Sequence, residues 1–393
     1  MIARILIWLL LVIVLPDIYI YLHYFAHRYK LPLWGKLLWW TPCVVMLIYS
    51  CVLGFQRSFA PYNLTWLNTY LFFLGMFVWP KVCFAICSFI GWLFRRFVVH
   101  TNRNWGHYVG VVVGMAAFAM YVYGVTIGVS QIKVRHIDLY FDNLPKGFDG
   151  FRIVHTSDMH VGTFEGWRKR ILEREIDSIR SQSGENTIFC FTGDIQNMYP
   201  EEVERMMPLL KRLPKTYFVL GNHDYAEYAT PEPGIESRIR KKLLALEAEL
   251  GTPLCNEHVA LTAKDGSRIW LVGTENDGNK RKIIHSDYKK AMKGIPANEF
   301  VIMLQHDPSF WEKDVLPKSC ADLTLSGHTH GGQMQFCDWR PTKKLGNDCG
   351  LFEKDGHYLY VSAGLGGLVP FRFNQPNEIA VITLHRGEKS ENK

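Results

Sequence analysis

Four long apolar stretches crowd into the first third of the chain, from Ile2 to Tyr21, Leu38 to Phe55, Trp66 to Phe94 and Tyr108 to Ser130. Each can reach the ~20 residues that a helix needs to cross the hydrocarbon of a bilayer. In lipid every backbone N–H and C=O must be paired within the protein, which restricts such segments to helices. The first stretch is too long for a removable leader, and three more follow it. The expectation is a transmembrane helical domain of about four spans over residues 1–131. The third stretch is longer than a crossing requires and is interrupted by Pro80 and Lys81. The expected arrangement there is a long tilted helix whose Lys81 snorkels to the interface, the other reading being a buried Lys with a partner. Trp34, Trp39, Trp40, Trp66, Trp92 and Trp105 gather near the ends of the stretches, as interfacial aromatic belts do.

Orientation follows from the cationic residues near the span ends. Arg28, Lys30, Lys36, Arg95, Arg96 and Arg103 lie in the first and third loops, against Arg4, Arg57, Lys133 and Arg135 on the other side. Six against four favours cytoplasmic first and third loops in a cell (inner) membrane. Both termini, and whatever follows the fourth span, then face the outer or periplasmic side.

Beyond residue 131 the composition becomes that of an ordinary globular protein, so a mean hydropathy near zero is the average of two regimes. The net charge of +7 lies largely beside the apolar stretches, with no long basic run and no zinc-finger spacing. That pattern argues against a nucleic-acid partner. None of the nine cysteines falls in a CxxC pattern, and most are expected to be buried free thiols. Cys337 and Cys349 flank one loop-like stretch and could be joined only in an oxidising compartment.

Residues 132–386 alternate short β-branched runs with helix-like ones. Strands are expected at Arg152–Thr156, Thr187–Thr192, Thr216–Leu220, Arg268–Val272, Phe300–Gln305, Asp322–Ser326, Tyr358–Ser362 and Ile379–Leu384. Helices are expected at Glu173–Arg180, Glu201–Arg212 and Ile235–Leu250. Strands alternating with helices imply an α/β domain. Residues 387–393 read as a charged disordered tail.

The polar clusters sit where the strands end. In order they are Asp158-Met159-His160, Gly193-Asp194, Gly221-Asn222-His223-Asp224, His306-Asp307 and Gly327-His328-Thr329-His330. Active sites of open α/β sheets gather at the carboxyl ends of strands. Five clusters of Asp, Asn and His at such ends suggest metal-assisted phosphoryl transfer. Two divalent cations neutralise the phosphoryl oxygens that repel a nucleophile and turn a bound water into hydroxide near neutral pH. Mixed imidazole and carboxylate ligands suit Mn, Fe, Zn or Ni rather than calcium.

The string Asp-x-His, Gly-Asp, Gly-Asn-His-Asp, His and Gly-His-Thr-His resembles the calcineurin-like metallophosphoesterases over about residues 150–386. The Thr-Ser-Asp-Met-His opening, the closing Gly-His-Thr-His-Gly-Gly-Gln and the four-span N-terminus are similar to the transmembrane metallophosphoesterases, some of whose bacterial relatives act on UDP-2,3-diacylglucosamine. The resemblance implies a two-sheet αββα sandwich with the metals at the sheets' edge. It implies one metal on Asp158, His160 and His330, another on Asn222, His306 and His328, and Asp194 bridging both. It places His223 beside the phosphate as a catalytic group, with Asp224 orienting it. Arg372, in Pro-Phe-Arg-Phe-Asn-Gln-Pro, is a candidate to hold a substrate phosphate, against an ordinary surface salt bridge. His155 reads as a packed strand residue, and His258 and His285 as surface residues. Asn276, Asp277 and Asn279 read as a turn that could line the cleft. The stretch from Ala226 to Leu250 caps a substrate or packs on the sheet.

Four spans tether the site near lipid headgroups, which raises the effective concentration of a lipid phosphodiester or a lipid-linked pyrophosphate. A UDP-diacylglucosamine hydrolase needs a cytoplasmic site, and the charge count leans outward. The alternatives are a membrane-anchored phosphoprotein or small-molecule phosphatase, and a receptor or scaffold that uses the metal fold for binding.

Overall fold

The structure is a computed structural model that describes residues 2–55, 64–100, 103–225, 229, 232–278 and 285–387. Arg57, Asn279 and the tail beyond Gly387 lie outside the described residues, as do the side chains of Arg4 and Arg28. The chain divides into two compact units, residues 1–127 and 128–393.

The first unit is helical: α1 (Ile2–Ile20), α2 (Leu33–Phe55), α3 (Thr65–Phe73), α4 (Trp79–Phe94) and α5 (Gly106–Thr126). A wider π-type turn at Leu74–Val78 joins α3 to α4. The result, among the described residues, is four apolar helices long enough to cross a membrane, at Ile5–Ala26, Leu33–Phe55, Thr65–Val99 and Gly106–Ser130. The widened turn lies just before Pro80, which cannot donate a backbone N–H and crowds the turn preceding it. On α5, Gly106, Gly110 and Gly114 recur every fourth residue and let α4 approach closely. A Cβ on Gly110 would stand 2.9 Å from the Phe84 carbonyl oxygen, and one on Gly106 2.4 Å from that of Cys87. Such small-residue stripes replace the hydrophobic drive that lipid does not supply between helices.

Lys81 does not snorkel. Its ammonium reaches Asp17 on α1 at 2.7 Å and lies over the Trp39 ring, while Asp17 is almost wholly buried. Removing one member of such a pair leaves an uncompensated charge. Lys81→Met is therefore expected to lower the apparent melting temperature in detergent. Asp17→Asn combined with Lys81→Met should recover most of that loss; a double variant as unstable as the single would show that the loss does not come from a stranded Asp17 charge.

Among the described residues the second unit has twelve strands. The first five are β1 (Ile132–Phe141), β2 (Phe151–Thr156), β3 (Thr187–Thr192), β4 (Thr216–Val219) and β5 (Gly251–Pro253). There follow β6 (Glu257–Thr262), β7 (Arg268–Gly273), β8 (Val301–Leu304), β9 (Leu323–Ser326), β10 (Gly350–Lys354), β11 (His357–Val361) and β12 (Asn377–Arg386). One six-stranded sheet has the order β1-β12-β2-β3-β4-β5 and the other β10-β11-β9-β8-β7-β6. The strands from β2 to β5 are parallel, as are β7, β8, β9 and β11. β12 runs antiparallel to β2 and parallel to β1, in register from Ile132 opposite Asn377 to Phe141 opposite Arg386.

Ile153, Cys190, Val219 and Ile382 of the first sheet share a core with Leu271, Ile302, Leu304 and Leu325 of the second. On the outer face of the first sheet lie α6 (Lys169–Arg180), α7 (Pro200–Leu210) and α8 (Ile235–Leu250), burying Ile176, Val203 and Leu243 with Phe191 and Phe218. Trp311 and Val315 pack with Met303 and Val361 of the second sheet. These layers form the αββα sandwich. Leu243 and Leu250 join the core, so α8 packs on the sheet; Ala226 to Tyr228, at the start of that stretch, lie outside the described residues.

Candidate metal centre

Parallel strands place their carboxyl ends on one edge of a sheet, and here the polar clusters follow β2, β3, β4, β8 and β9. As each strand ends, the backbone turns sharply. Asp158, His160, Asp194, His328 and His330 all take φ between 47° and 73°. This left-handed region is uncommon for residues with a Cβ, and such conformations concentrate at functional sites. Gly221 acts differently, through its missing side chain: a Cβ there would lie 2.2 Å from Asp194 Oδ1. The Asn222 loop can approach the Asp194 carboxylate only because position 221 is bare.

Among the described residues, three groups of side chains come within ligand distance of one another: Asp158 with His160 and His330, His160 with Asp194 and His223, and Asp194 with His306 and His328. Asp194 Oδ2 stands between two of the imidazoles, 3.7 Å from His160 Nε2 and 3.3 Å from His306 Nε2. Asn222 Oδ1 is 2.9 Å from His328 Nδ1 and 3.2 Å from His306 Nε2. His330 Nε2 is 3.4 Å from Asp158 Oδ1.

The donor chemistry fits a cation. His306 donates its Nδ1–H to the Thr192 carbonyl at 2.6 Å, which turns Nε2 toward the oxygens of Asp194 and Asn222. Both ring nitrogens of His160 are buried without a hydrogen-bond partner. Lone pairs that face one another in a buried site need a positive charge between them. A proton can supply part of it. Burial disfavours charge on His306, but the Asp194 carboxylate outweighs this and pushes its pKa up to about 10. Burial likewise opposes ionisation of Asp194, and His306 and His223 overcome it, holding that carboxyl well below its usual range. His160 and His330 are held down by burial and stay neutral, as a ligand must be.

His223 lies beside this cluster, its ring 4.7 Å from that of His160. Its Nδ1–H donates to the Asn197 carbonyl at 2.6 Å, and its backbone N–H donates to Asp194 Oδ1 at 2.9 Å. The group that orients the imidazole is therefore Asn197 and not Asp224. The Asp224 carboxylate accepts the N–H groups of Asp194 and Gly221, both at 2.8 Å, and so ties two strand ends together. Burial, reinforced by the Asp194 charge, pushes its pKa up to about 8. Asn197 was not among the sequence candidates because it acts through a main-chain oxygen that every residue carries.

Arg372 is also placed differently from expectation. It is 1 % exposed, and its guanidinium donates to the carbonyls of Gly364 and Gly366 at 3.0 and 2.7 Å and to those of Gln375 and Pro376. A guanidinium committed to four backbone oxygens is neither a surface salt bridge nor a phosphate clamp. The Gly366 carbonyl also takes His330 Nδ1 at 3.2 Å, so Arg372 braces the loop behind a candidate ligand. Arg372→Leu would strand those carbonyls. The expected result is a fall in apparent melting temperature on the order of 10 °C; unchanged folding with a raised KM would restore the phosphate role.

The remaining candidates stay outside the cluster. His155 is fully buried against Thr192 and Tyr360, and burial lowers its pKa to about 3. His258 donates to the Ala291 carbonyl, and His285 stacks on Tyr225 and pairs with Glu236. Asp277 accepts from Ser286 and Tyr288, and Asn276 is buried beside it. Cys337 and Cys349 are both free thiols.

A two-sheet α/β sandwich with Asp, Asn and His side chains clustered on its strand ends, joined to apolar helices, defines a membrane-anchored metallophosphoesterase. A family model described as "Calcineurin-like phosphoesterase" matches residues 151–332, and one described as "Probable Calcineurin-like phosphoesterase, transmembrane domain" matches residues 3–129. An uncharacterized metallophosphoesterase of Bacillus subtilis is 30% identical over 61% of this chain and 81% of its own. A transmembrane protein with metallophosphoesterase domain from Danio rerio is 26% identical over 67% of this chain and 60% of its own. The UDP-2,3-diacylglucosamine pyrophosphatase of Chlamydia trachomatis is 26% identical over 61% of this chain and 86% of its own. The chain belongs to the calcineurin-like phosphoesterases and is a multi-pass membrane protein that hydrolyses phosphoester bonds.

Proposed function

We propose that the chain hydrolyses a phosphodiester or pyrophosphate on a membrane lipid or lipid-linked substrate, using two divalent ions. The observation that carries this is Asp194 Oδ2, shared between His160 on one side and His306 on the other, in a chain with four membrane-length helices. In this reading Asp158, His160 and His330 would hold one ion and Asn222, His306 and His328 the other, and Asp194 would serve both. When bound, such a pair neutralises phosphoryl oxygens and acidifies water near neutral pH. Imidazole and carboxylate ligands favour Mn, Fe, Zn or Ni.

The protein's own residues supply the rest. The Asn197 carbonyl keeps the His223 Nδ1 protonated, so Nε2 is the atom that exchanges a proton with the leaving oxygen. Asp224 holds the Gly193–Asp194 and Gly221–Asn222 turns at fixed separation through its two accepted N–H bonds. The Chlamydia relative cleaves a nucleotide-linked acylated sugar by its name, and its similarity supports a lipid pyrophosphate. The excess of Lys and Arg in the first and third loops supports an outward-facing catalytic unit, which favours a lipid-linked substrate exposed on that side.

The test uses full-length protein in lipid nanodiscs with Mn²⁺, presented with a diacyl lipid pyrophosphate, its short-chain soluble analogue, a chromogenic diester and a phosphopeptide. Tethering predicts kcat/KM for the diacyl lipid at least about tenfold above the soluble analogue. Equal values, or a preference for the phosphopeptide, would reduce the spans to an anchor and favour a phosphoprotein phosphatase.

A further inference from the structure

Among the described residues of the second unit, the large apolar side chains that are exposed are Trp167, Phe336, Trp339, Leu345 and Leu351, and four of these five fall on one stretch of chain. Trp339 and Leu345 are 55% and 54% exposed. The stretch is firmly built. Phe336 and Trp339 exchange both backbone hydrogen bonds, at 3.0 and 2.9 Å, and so close a tight turn with Cys337 in the left-handed region at its tip. The Phe336 ring packs 5.0 Å from Phe373. Arg340 is clamped by two bonds to Asp348. The turn nevertheless leaves Trp339 more than half exposed and Phe336 partly so, and exposed apolar patches of this kind mark contact surfaces.

The chemistry around the rings selects the contact. From Phe336 to Leu345 there is one acid, Asp338, against Arg340, Lys343 and Lys344, and both lysines are exposed. Tryptophan and phenylalanine beside lysines are the composition of a segment that sits at the headgroup boundary. The covalent chain points the same way. The fourth span ends at Ser130, and the three residues to Lys133 reach at most ~10 Å. Lys133 and Arg135 wall a cavity of about 560 Å³ together with Arg340 and Leu351. Arg340 and Leu351 therefore share a cavity with residues that lie only three and five positions beyond the end of the fourth span. A second copy of the chain fits less well, because in a two-fold pair the same lysines would face one another.

We propose that the Phe336–Trp339 turn, with Leu345, Leu351, Lys343 and Lys344, is a second membrane contact that seats on the anionic headgroup surface of the bilayer its own spans cross. The turn is wired to the strand end that carries His328 and His330. The Thr329 hydroxyl donates to the Asp348 carbonyl, and the Gln333 amide donates to the Val369 and Phe371 carbonyls. Seating the turn would set the height of those histidines above the lipid. That consequence rests on the proposed hydrolysis of lipid phosphoesters, whereas the contact itself does not.

The test exploits two native thiols, since Cys320 and Cys337 are the exposed ones among the described residues. In full-length protein with the other cysteines replaced by alanine, an environment-sensitive fluorophore is placed on Cys337 alone or on Cys320 alone. The protein is held in mixed phosphatidylcholine–phosphatidylglycerol nanodiscs containing a nitroxide-labelled lipid. Quenching at Cys337 should exceed that at Cys320 at least about threefold, and Lys343→Glu with Lys344→Glu should bring it close to the Cys320 level. Equal quenching at the two positions overturns the proposal. So does a Cys337 label shielded from water without lipid quenching, which would assign the turn to a protein partner or a second copy. Neither result depends on catalysis, so hydrolysis can survive the loss of this contact.

Discussion

Asp194→Asn is expected to lower kcat/KM for a chromogenic phosphodiester by at least about a thousandfold, or about 4 kcal/mol. The substitution keeps the shape of the side chain and an oxygen that can accept the His223 backbone N–H. The main chain of residue 194 keeps its roles too, since its N–H donates to Asp224 and its carbonyl accepts from His160. What is lost is the negative charge that faces His160 and His306 together. An amide cannot balance two dications, so the metal content of the purified variant should fall well below that of the parent. Elemental analysis beside the kinetics checks this. A variant that kept its metals and its rate would remove Asp194 from the bridging position.

His223→Gln should lower kcat by about a hundred- to ten-thousandfold with an alkyl leaving group, leaving metal content unchanged. The structure admits a rival role, because His223 comes within ligand distance of His160 and Asp194. Leaving-group dependence separates the two. If Nε2 protonates the departing oxygen, a nitrophenolate that leaves readily without a proton should be cleaved by the variant almost as fast as by the parent. If His223 is a ligand, both substrates should suffer alike and metal content should drop. Asn197 offers no equivalent test by side-chain replacement, since its carbonyl belongs to the backbone.

Much of the fold was legible because the signals are local. The strands at 187–192 and 268–273 and the helix Ile235–Leu250 lie within a residue of the positions expected from periodicity. β1 was not recognised. Lys133, Arg135 and Asp138 break up its apolar pattern, and it becomes a strand by pairing along its length with β12, far away in the chain. The snorkelling expected of Lys81 failed for a similar reason. Asp17 is separated from it by two helices' worth of sequence, and only the bundle brings the two charges to 2.7 Å.

The order of apolar lengths in the sequence determined that this chain enters a membrane, since helices are the one way apolar segments of this length satisfy their backbone in lipid. The residue types at five strand ends determined the class of chemistry, because imidazole and carboxylate oxygens are properties of side chains alone. The tertiary structure decided what those groups face. It alone set Asp194 Oδ2 between two imidazoles, gave the orientation of His223 to a backbone carbonyl, made Asp224 a tie between turns, and enclosed Arg372 among carbonyls. Burial and main-chain contacts arise from residues distant in sequence, and a main-chain oxygen is the same at every position, so neither is written in the residue that depends on it.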